Sequence, residues 1–120
     1  EDPDADLNKL WWKLVKKFQF INFSRDKADW ASKIHIVSAP VYYHNYLLGE
    51  LLASQLHHHI VNNIAKVKND DYDYSNNLEV GNFLKQKVFS PGMIYPWNEF
   101  IKRATGNYLN PKFFVDEFAK

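Results

Sequence analysis

A chain of 120 residues with 46% hydrophobic and 17% aromatic side chains has the length and apolar content of one compact domain. Fifteen basic residues against fourteen acidic leave a formal charge of +1, which excludes a general attraction to nucleic acid or to an anionic membrane. Cysteine is absent, so disulfides and thiolate zinc sites are excluded within these residues, and no apolar run reaches the roughly 18–20 residues of a membrane span. The first residues, EDPDADLNK, lack the basic start and apolar middle of a secretory leader. An opening Glu1 in place of Met is what a piece of a longer protein would present, so compartment is left open.

The pattern is helical almost throughout. Asp4 or Asp6 can cap a helix through LNKLWWKLVKKFQF, where Leu10, Leu14 and Phe18 recur every four residues and lysines gather near the end. Trp11 and Trp12 point in different directions on such a helix, so at least one meets something other than the nearest core. INFSRDKADWASKIHIVS is irregular, with an extended segment expected at Lys33 to Val37. Pro40 is placed at the mouth of the longest helix, VYYHNYLLGELLASQLHHHIVNNI, about Val41 to Asn62. Apolar residues lie on nearly every side of it, which predicts burial all round and a central position. KVKNDDYDYSNN is a polar connector rich in turn residues. NLEVGNFLKQKVF reads as a helix stopped by Ser90-Pro91-Gly92. YPWNEFIKRATG reads as another, with Pro96 near its start and Gly106 at its end, and Asn110-Pro111 opens the last one, PKFFVDEFAK. Repeats, heptads and low-complexity segments are absent. The expectation is an all-α single helical domain over residues 1–120, built on one long buried central helix.

Few residues carry chemistry. His57-His58-His59 invites a zinc site, yet neighbouring residues on a helix point about 100° apart and cannot close on one ion. HExxH does not occur, so no metal ligand is expected within the chain. Asp70-Asp71 and Asp116-Glu117 read as solvated surface. The four glycines are scattered, which removes a phosphate loop, and the aromatics are not interleaved with a basic stripe as base-stacking would need. The segment KIHIVSAPVYYHNYLLGE stands apart. Lys33 and His35 alternate along the extended lead-in and so share a side. Tyr43 and Tyr46, three apart, share a helix face, and Glu50 follows Tyr46 by four. A loop and a helix N-terminus meeting there could bring Lys33, His35, Tyr43 and Tyr46 around one pocket, where lysine and tyrosine can hold a carboxylate and histidine and tyrosine can donate to a developing oxyanion. The bland account is a set of buried side chains whose polar tips satisfy local backbone.

WWKLVKKFQ, SKIHI, APVYYHNYLLGELLASQLH and YPWNEFIKRATG resemble, in that order, the C-terminal part of the peptidyl-dipeptidase A (angiotensin-converting enzyme) family, helical zinc metallopeptidases that release dipeptides from peptide C-termini. Thimet-type oligoendopeptidases carry a similar arrangement. The resemblance implies that Lys33 holds the substrate's C-terminal carboxylate, His35 donates near the scissile bond, Tyr43 helps bind the carboxylate and Tyr46 stabilises the oxyanion. It needs one extra residue between His35 and Tyr43; without it Tyr42 and Asn45 take the two tyrosine positions. The inserted register aligns the downstream helix through Gln55-Leu56-His57. Three departures follow from the same alignment. The arginine that binds activating chloride in animal members falls on Asn45, an aromatic of the substrate pocket falls on Glu50, and the animal cysteines are missing at Asp71 to Tyr74.

The family's zinc ligands and general base come from HExxH and a downstream Glu, and this chain contains neither. The resemblance therefore implies a C-terminal region of a zinc peptidase that is inactive alone. Zinc would sit in the parent enzyme, and the partners would be a peptide with a free C-terminus and the remainder of the peptidase. The competing expectation is a non-enzymatic helical binding or scaffold module.

Overall fold

The structure is a computed structural model that describes residues 2–67 and 72–119; the Asp70-Asp71 pair lies outside them. Among the described residues all regular structure is helical, as the sequence pattern predicts. The chain divides into two compact units, one ending at Asn45 and the other beginning at Tyr46.

The first unit is organised by α1 (Leu7–Gln19). Of the two candidate caps it uses Asp6, whose carboxylate accepts the Lys9 amide at 3.1 Å. That backbone hydrogen bond, helped by the Lys9 ammonium at 3.2 Å, holds the Asp6 carboxyl below its ordinary range. Lys16 and Lys17 lie in the last turn, where the helix dipole favours cations, and Phe20 closes the helix at φ 58. Val15 is buried, whereas the Leu10, Leu14 and Phe18 row is 41%, 42% and 66% exposed. The return strap is fixed by polar contacts. The Trp30 indole N–H donates to Asn8 Oδ1 at 2.9 Å, and Arg25 grips Asp29 through two hydrogen bonds of 2.7 and 2.8 Å. Trp12 meets the edge of Phe23 at 5.8 Å.

Asp29–Ser32 forms a 3-10 turn, and α2 (Ile34–Val37) follows directly. The extended segment expected at Lys33 to Val37 is therefore a helical turn. Its amides find a local acceptor, Ile36 and Val37 both bonding the Lys33 carbonyl at 2.9 and 3.1 Å. An extended run would need a partner strand for those groups, and the described residues contain none. Helix α3 (His44–His59) begins four residues after Pro40. Val41 sits at φ 59, in the left-handed region, so the helix cannot run through it.

In the second unit α3 continues as a π-helical stretch, Ile60–Ala65, ending at left-handed Lys66. Burial along this rod is gathered at its C-terminal end, on Ser54, Gln55, Ile60 and Val61, while Tyr46 and Leu47 are each 57% exposed. Helix α4 (Leu78–Phe83) is capped by Asn77, whose side-chain oxygen accepts the Glu79 and Val80 amides, and it too passes into π-helical turns, Leu84–Phe89. Helix α5 (Trp97–Thr105) starts after Pro96 and ends at Gly106, φ 84, a conformation that only glycine adopts without strain. Helix α6 (Lys112–Phe118) opens with the Lys112 amide donating to Asn110 Oδ1 at 2.9 Å and carries a Lys112–Asp116 ion pair.

The core of this unit is Ile60, Val61, Val80, Ile101 and Ala104 around one buried amide. Gln55, 1% exposed, donates from Nε2 to Thr105 Oγ1 at 2.8 Å and to the Asn107 and Tyr108 carbonyls at 3.2 Å. Its Oε1 accepts the Asn110 amide at 2.9 Å. One side chain thus ties α3 to the whole α5–α6 connection. We expect Gln55→Leu to lower stability by about 2–3 kcal/mol, because the near-isosteric change leaves the buried Thr105 hydroxyl and its neighbours short of partners. Chemical denaturation of the full-length protein measures it, and an unchanged midpoint would remove Gln55 from this role.

Burial also pushes the His59 imidazole below its ordinary value of 6.5, opposed by a backbone hydrogen bond with Thr105. A base whose folded pKa is depressed binds fewer protons folded than unfolded, so its contribution is full above pH 6.5 and shrinks as pH falls below it. His59→Gln should therefore weaken the fall in melting temperature on the acid side of neutrality, as followed by thermal unfolding at a series of pH values.

Candidate functional site

The sequence places Lys33, His35, Tyr43 and Tyr46 together, and the first three belong to the first unit. Lys33 is the junction residue between the 3-10 turn and α2, and its side chain is exposed. It lines a cavity of about 190 Å³ with Trp11, Trp12, Val15, Arg25 and Asp29. The Asp29 carboxyl is held below its usual range chiefly by the Arg25 hydrogen bonds, with the Lys33 charge adding to the effect. Asp29 is thus committed to Arg25.

His35 is half-buried on α2. Its ring stacks at a tilt on Tyr42, centroids 5.4 Å apart and planes at 33°, and meets Tyr43 edge-on, also at 5.4 Å and 79°. The sequence expectation grouped His35 with Lys33, Tyr43 and Tyr46; the structure sets its ring against Tyr43 and also against Tyr42. Tyr42, considered there only as a consequence of the other register, is a full member of the cluster. Adjacent tyrosines just before a helix were the available signal.

Tyr43 and Tyr46 do not share a helix face, because Tyr43 precedes the first residue of α3 and lies in the turn after Val41. Lys33 and His35 likewise do not alternate along a strand. Tyr46 and Glu50 do stand one helical turn apart in α3, both exposed. Tyr46 belongs to the second unit.

The three consecutive histidines go three ways. His57 packs on Tyr74 at 5.9 Å, His58 on Phe113 at 4.7 Å and His59 on Phe83 at 5.3 Å. Each ring is an aromatic packing surface for a different segment, as the 100° turn per residue requires. Among the described residues no group of three His, Asp or Glu side chains converges on a metal-sized space. In the first unit the Trp12 indole N–H is buried without an acceptor among the described residues. A sequence reading could not have found it, since two adjacent tryptophans give no sign of which one is enclosed.

Comparison with known proteins bears on this arrangement. The family model described as carboxypeptidase Taq (M32) metallopeptidase matches residues 4–120. "Thermostable carboxypeptidase 1" of Pyrococcus furiosus is 27% identical over 115 residues, which are 92% of this chain and 22% of that protein. The chain thus spans about a fifth of the length of the curated relative it matches. No solved structure matches it. The resemblance to peptidyl-dipeptidase A read from short motifs is accordingly supported at the level of a metallopeptidase family whose description is carboxypeptidase.

The packing of the histidines generates a direct test. Replacing all three, His57 to His59, by Gln should leave the zinc content of the full-length protein unchanged while lowering its thermal stability. Metal analysis and thermal unfolding of the same preparation separate the two effects, and loss of one metal equivalent would make the run a ligand set.

Proposed function

The chain belongs to the carboxypeptidase Taq (M32) metallopeptidase family, and we propose that it forms the substrate-side wall of a zinc-dependent peptidase acting at peptide C-termini. The observation that carries the reading is His35 in ring contact with both Tyr42 and Tyr43, two residues beyond a lysine that lines a cavity. The family implies a metal. The described residues do not fit one: they offer no three-ligand cluster, and HExxH is absent from the sequence. The ligands and the general base are therefore assigned to other parts of the parent enzyme.

What these residues would contribute is recognition and charge stabilisation. Lys33 presents an ammonium that suits a substrate's terminal carboxylate, with Tyr43 as a neighbouring donor. His35 and Tyr46 are the donors proposed for the oxyanion that grows as the scissile carbonyl becomes tetrahedral. Contacts of the His35 ring with Tyr42 and Tyr43 limit its orientations, which favours a donor whose position must not change during reaction.

The peptidyl-dipeptidase reading and the carboxypeptidase reading differ in product. Dipeptide release rests on short motifs, whereas the family match runs through residues 4–120 and is described as carboxypeptidase, so single-residue release is the better supported. Mass spectrometry of early products from an N-terminally blocked peptide decides it: loss of one residue supports the carboxypeptidase reading, and loss of two restores the other.

Site roles are tested in the same full-length enzyme. Tyr46→Phe should lower kcat by about 10²–10³-fold with little change in KM, the signature of a donor used in the transition state. Lys33→Ala should raise KM roughly 10- to 150-fold for peptides with a free C-terminus, the value of one hydrogen bond to a charged group, and spare amidated ones. If Tyr46→Phe is silent while Tyr42→Phe or Asn45→Ala abolishes turnover, the uninserted register holds. If none of these changes acts on turnover or KM, the cluster is packing alone and the scaffold reading replaces this one.

A further inference from the structure

Two cavities of the second unit meet at the turn between the π-helical stretch Leu84–Phe89 and α5. The first, about 260 Å³, is lined by Gln86, Lys87, Pro91, Tyr95, Phe100 and Arg103. The second, about 570 Å³, passes over Met93, Ile94 and Trp97 and shares Tyr95 and Phe100 with the first. Neither wall contains an acidic residue. Among the described residues no carboxylate stands within ion-pair distance of Lys87 or Arg103. The Arg103 guanidinium instead lies over the Tyr95 ring, 4.2 Å from its centroid. Stacking fixes the plane of the group and leaves its N–H edge available to a carboxylate.

The apolar half is unusual in how it is presented. Met93 is 99% exposed, Ile94 74% and Trp97 60%. These side chains do not hang on a loose tail. The Gly92 amide bonds the Phe89 carbonyl and the Ile94 amide bonds that of Pro91, both at 3.1 Å, and Gly92 takes φ 53 to make the turn. Holding large apolar groups outward on an ordered turn forgoes about 25 cal/mol for every Å² left in water, which marks a surface made to be covered.

We infer that this joined trough docks an extended peptide segment of a partner protein, with an acidic side chain in the Lys87–Arg103 pocket and flanking apolar side chains along Met93, Ile94 and Trp97. Charge complementarity selects the acidic group, and the Trp, Tyr, Met and Arg composition is that of interface anchors. A small ligand fits less well, because walls this open cannot enclose most of its surface. An anionic membrane also fits less well, because the two cations line a cavity and a lipid surface needs them on a protruding face.

The test uses the full-length protein and a fluorescent peptide with one aspartate between leucine and phenylalanine residues. Its C-terminus is amidated so that a carboxypeptidase active site neither holds nor shortens it. We expect saturable binding, read by anisotropy, that weakens at least tenfold on changing the peptide's aspartate to asparagine. Arg103→Gln should weaken it equally, and the two changes together should be no worse than either alone. Binding indifferent to both changes, or no binding, overturns the proposal. So does binding to anionic vesicles in place of the peptide. Protection of Met93 and Trp97 from oxidative labelling in the absence of peptide also overturns it, since the protein's own polypeptide would then fill the trough.

Discussion

The second unit depends on one buried amide. Gln55 is enclosed on all sides, and a primary amide in that position is tolerated only when its polar atoms are bonded. The Asn110 backbone N–H can only donate, so it fixes which end of the amide faces it, and Nε2 must then face Thr105 and the carbonyls of Asn107 and Tyr108. The Thr105 hydroxyl bonds onward to the Ile101 carbonyl at 2.9 Å, inside α5. Apolar burial at Ile60, Val61, Val80, Ile101 and Ala104 supplies the drive to pack. The amide decides where the chain may turn from α5 towards α6.

No comparable centre exists in the first unit. Val15 is its one buried apolar side chain among the described residues, and its other ties are polar or aromatic contacts near the surface. Leu10, Leu14 and Phe18 form an apolar row on α1 that is 41%, 42% and 66% exposed. An exposed apolar row of this kind has the character of a surface that another surface covers. The same logic does not extend to every exposed side chain. The Met93–Trp97 turn differs in being locally braced by backbone hydrogen bonds and bordered by Lys87 and Arg103, which have no carboxylate within ion-pair distance among the described residues.

The histidines illustrate how residue type misleads without direction. A run of three suggests metal chemistry by composition, but their rings go to Tyr74, Phe113 and Phe83 and join three segments to α3. His35 is the reverse case. It is a single histidine in an apolar segment, and its interest comes from being in ring contact with two tyrosines that sequence spacing could not both assign to it.

Much of the architecture was legible because it is set by local bonding. Asp6, Asn77, Pro96, Gly106 and Asn110 act where their side chains or dihedrals dictate, and 3.6-residue periodicity marks the helices between them. The absence of HExxH and of cysteine is likewise a property of the sequence alone. Three things needed the folded chain. Lys33 to Val37 coils because its amides find acceptors one turn away, while an extended form would need a strand from elsewhere. Helix α3 starts at His44 because Val41 adopts a left-handed conformation, which moves Tyr43 out of the helix and undoes its expected alignment with Tyr46. Gln55, one of several polar letters in α3, gains its role from Thr105, Asn107, Tyr108 and Asn110, some fifty residues away. Periodicity reports which side of a helix is apolar; which partner meets that side is decided only when distant segments pack.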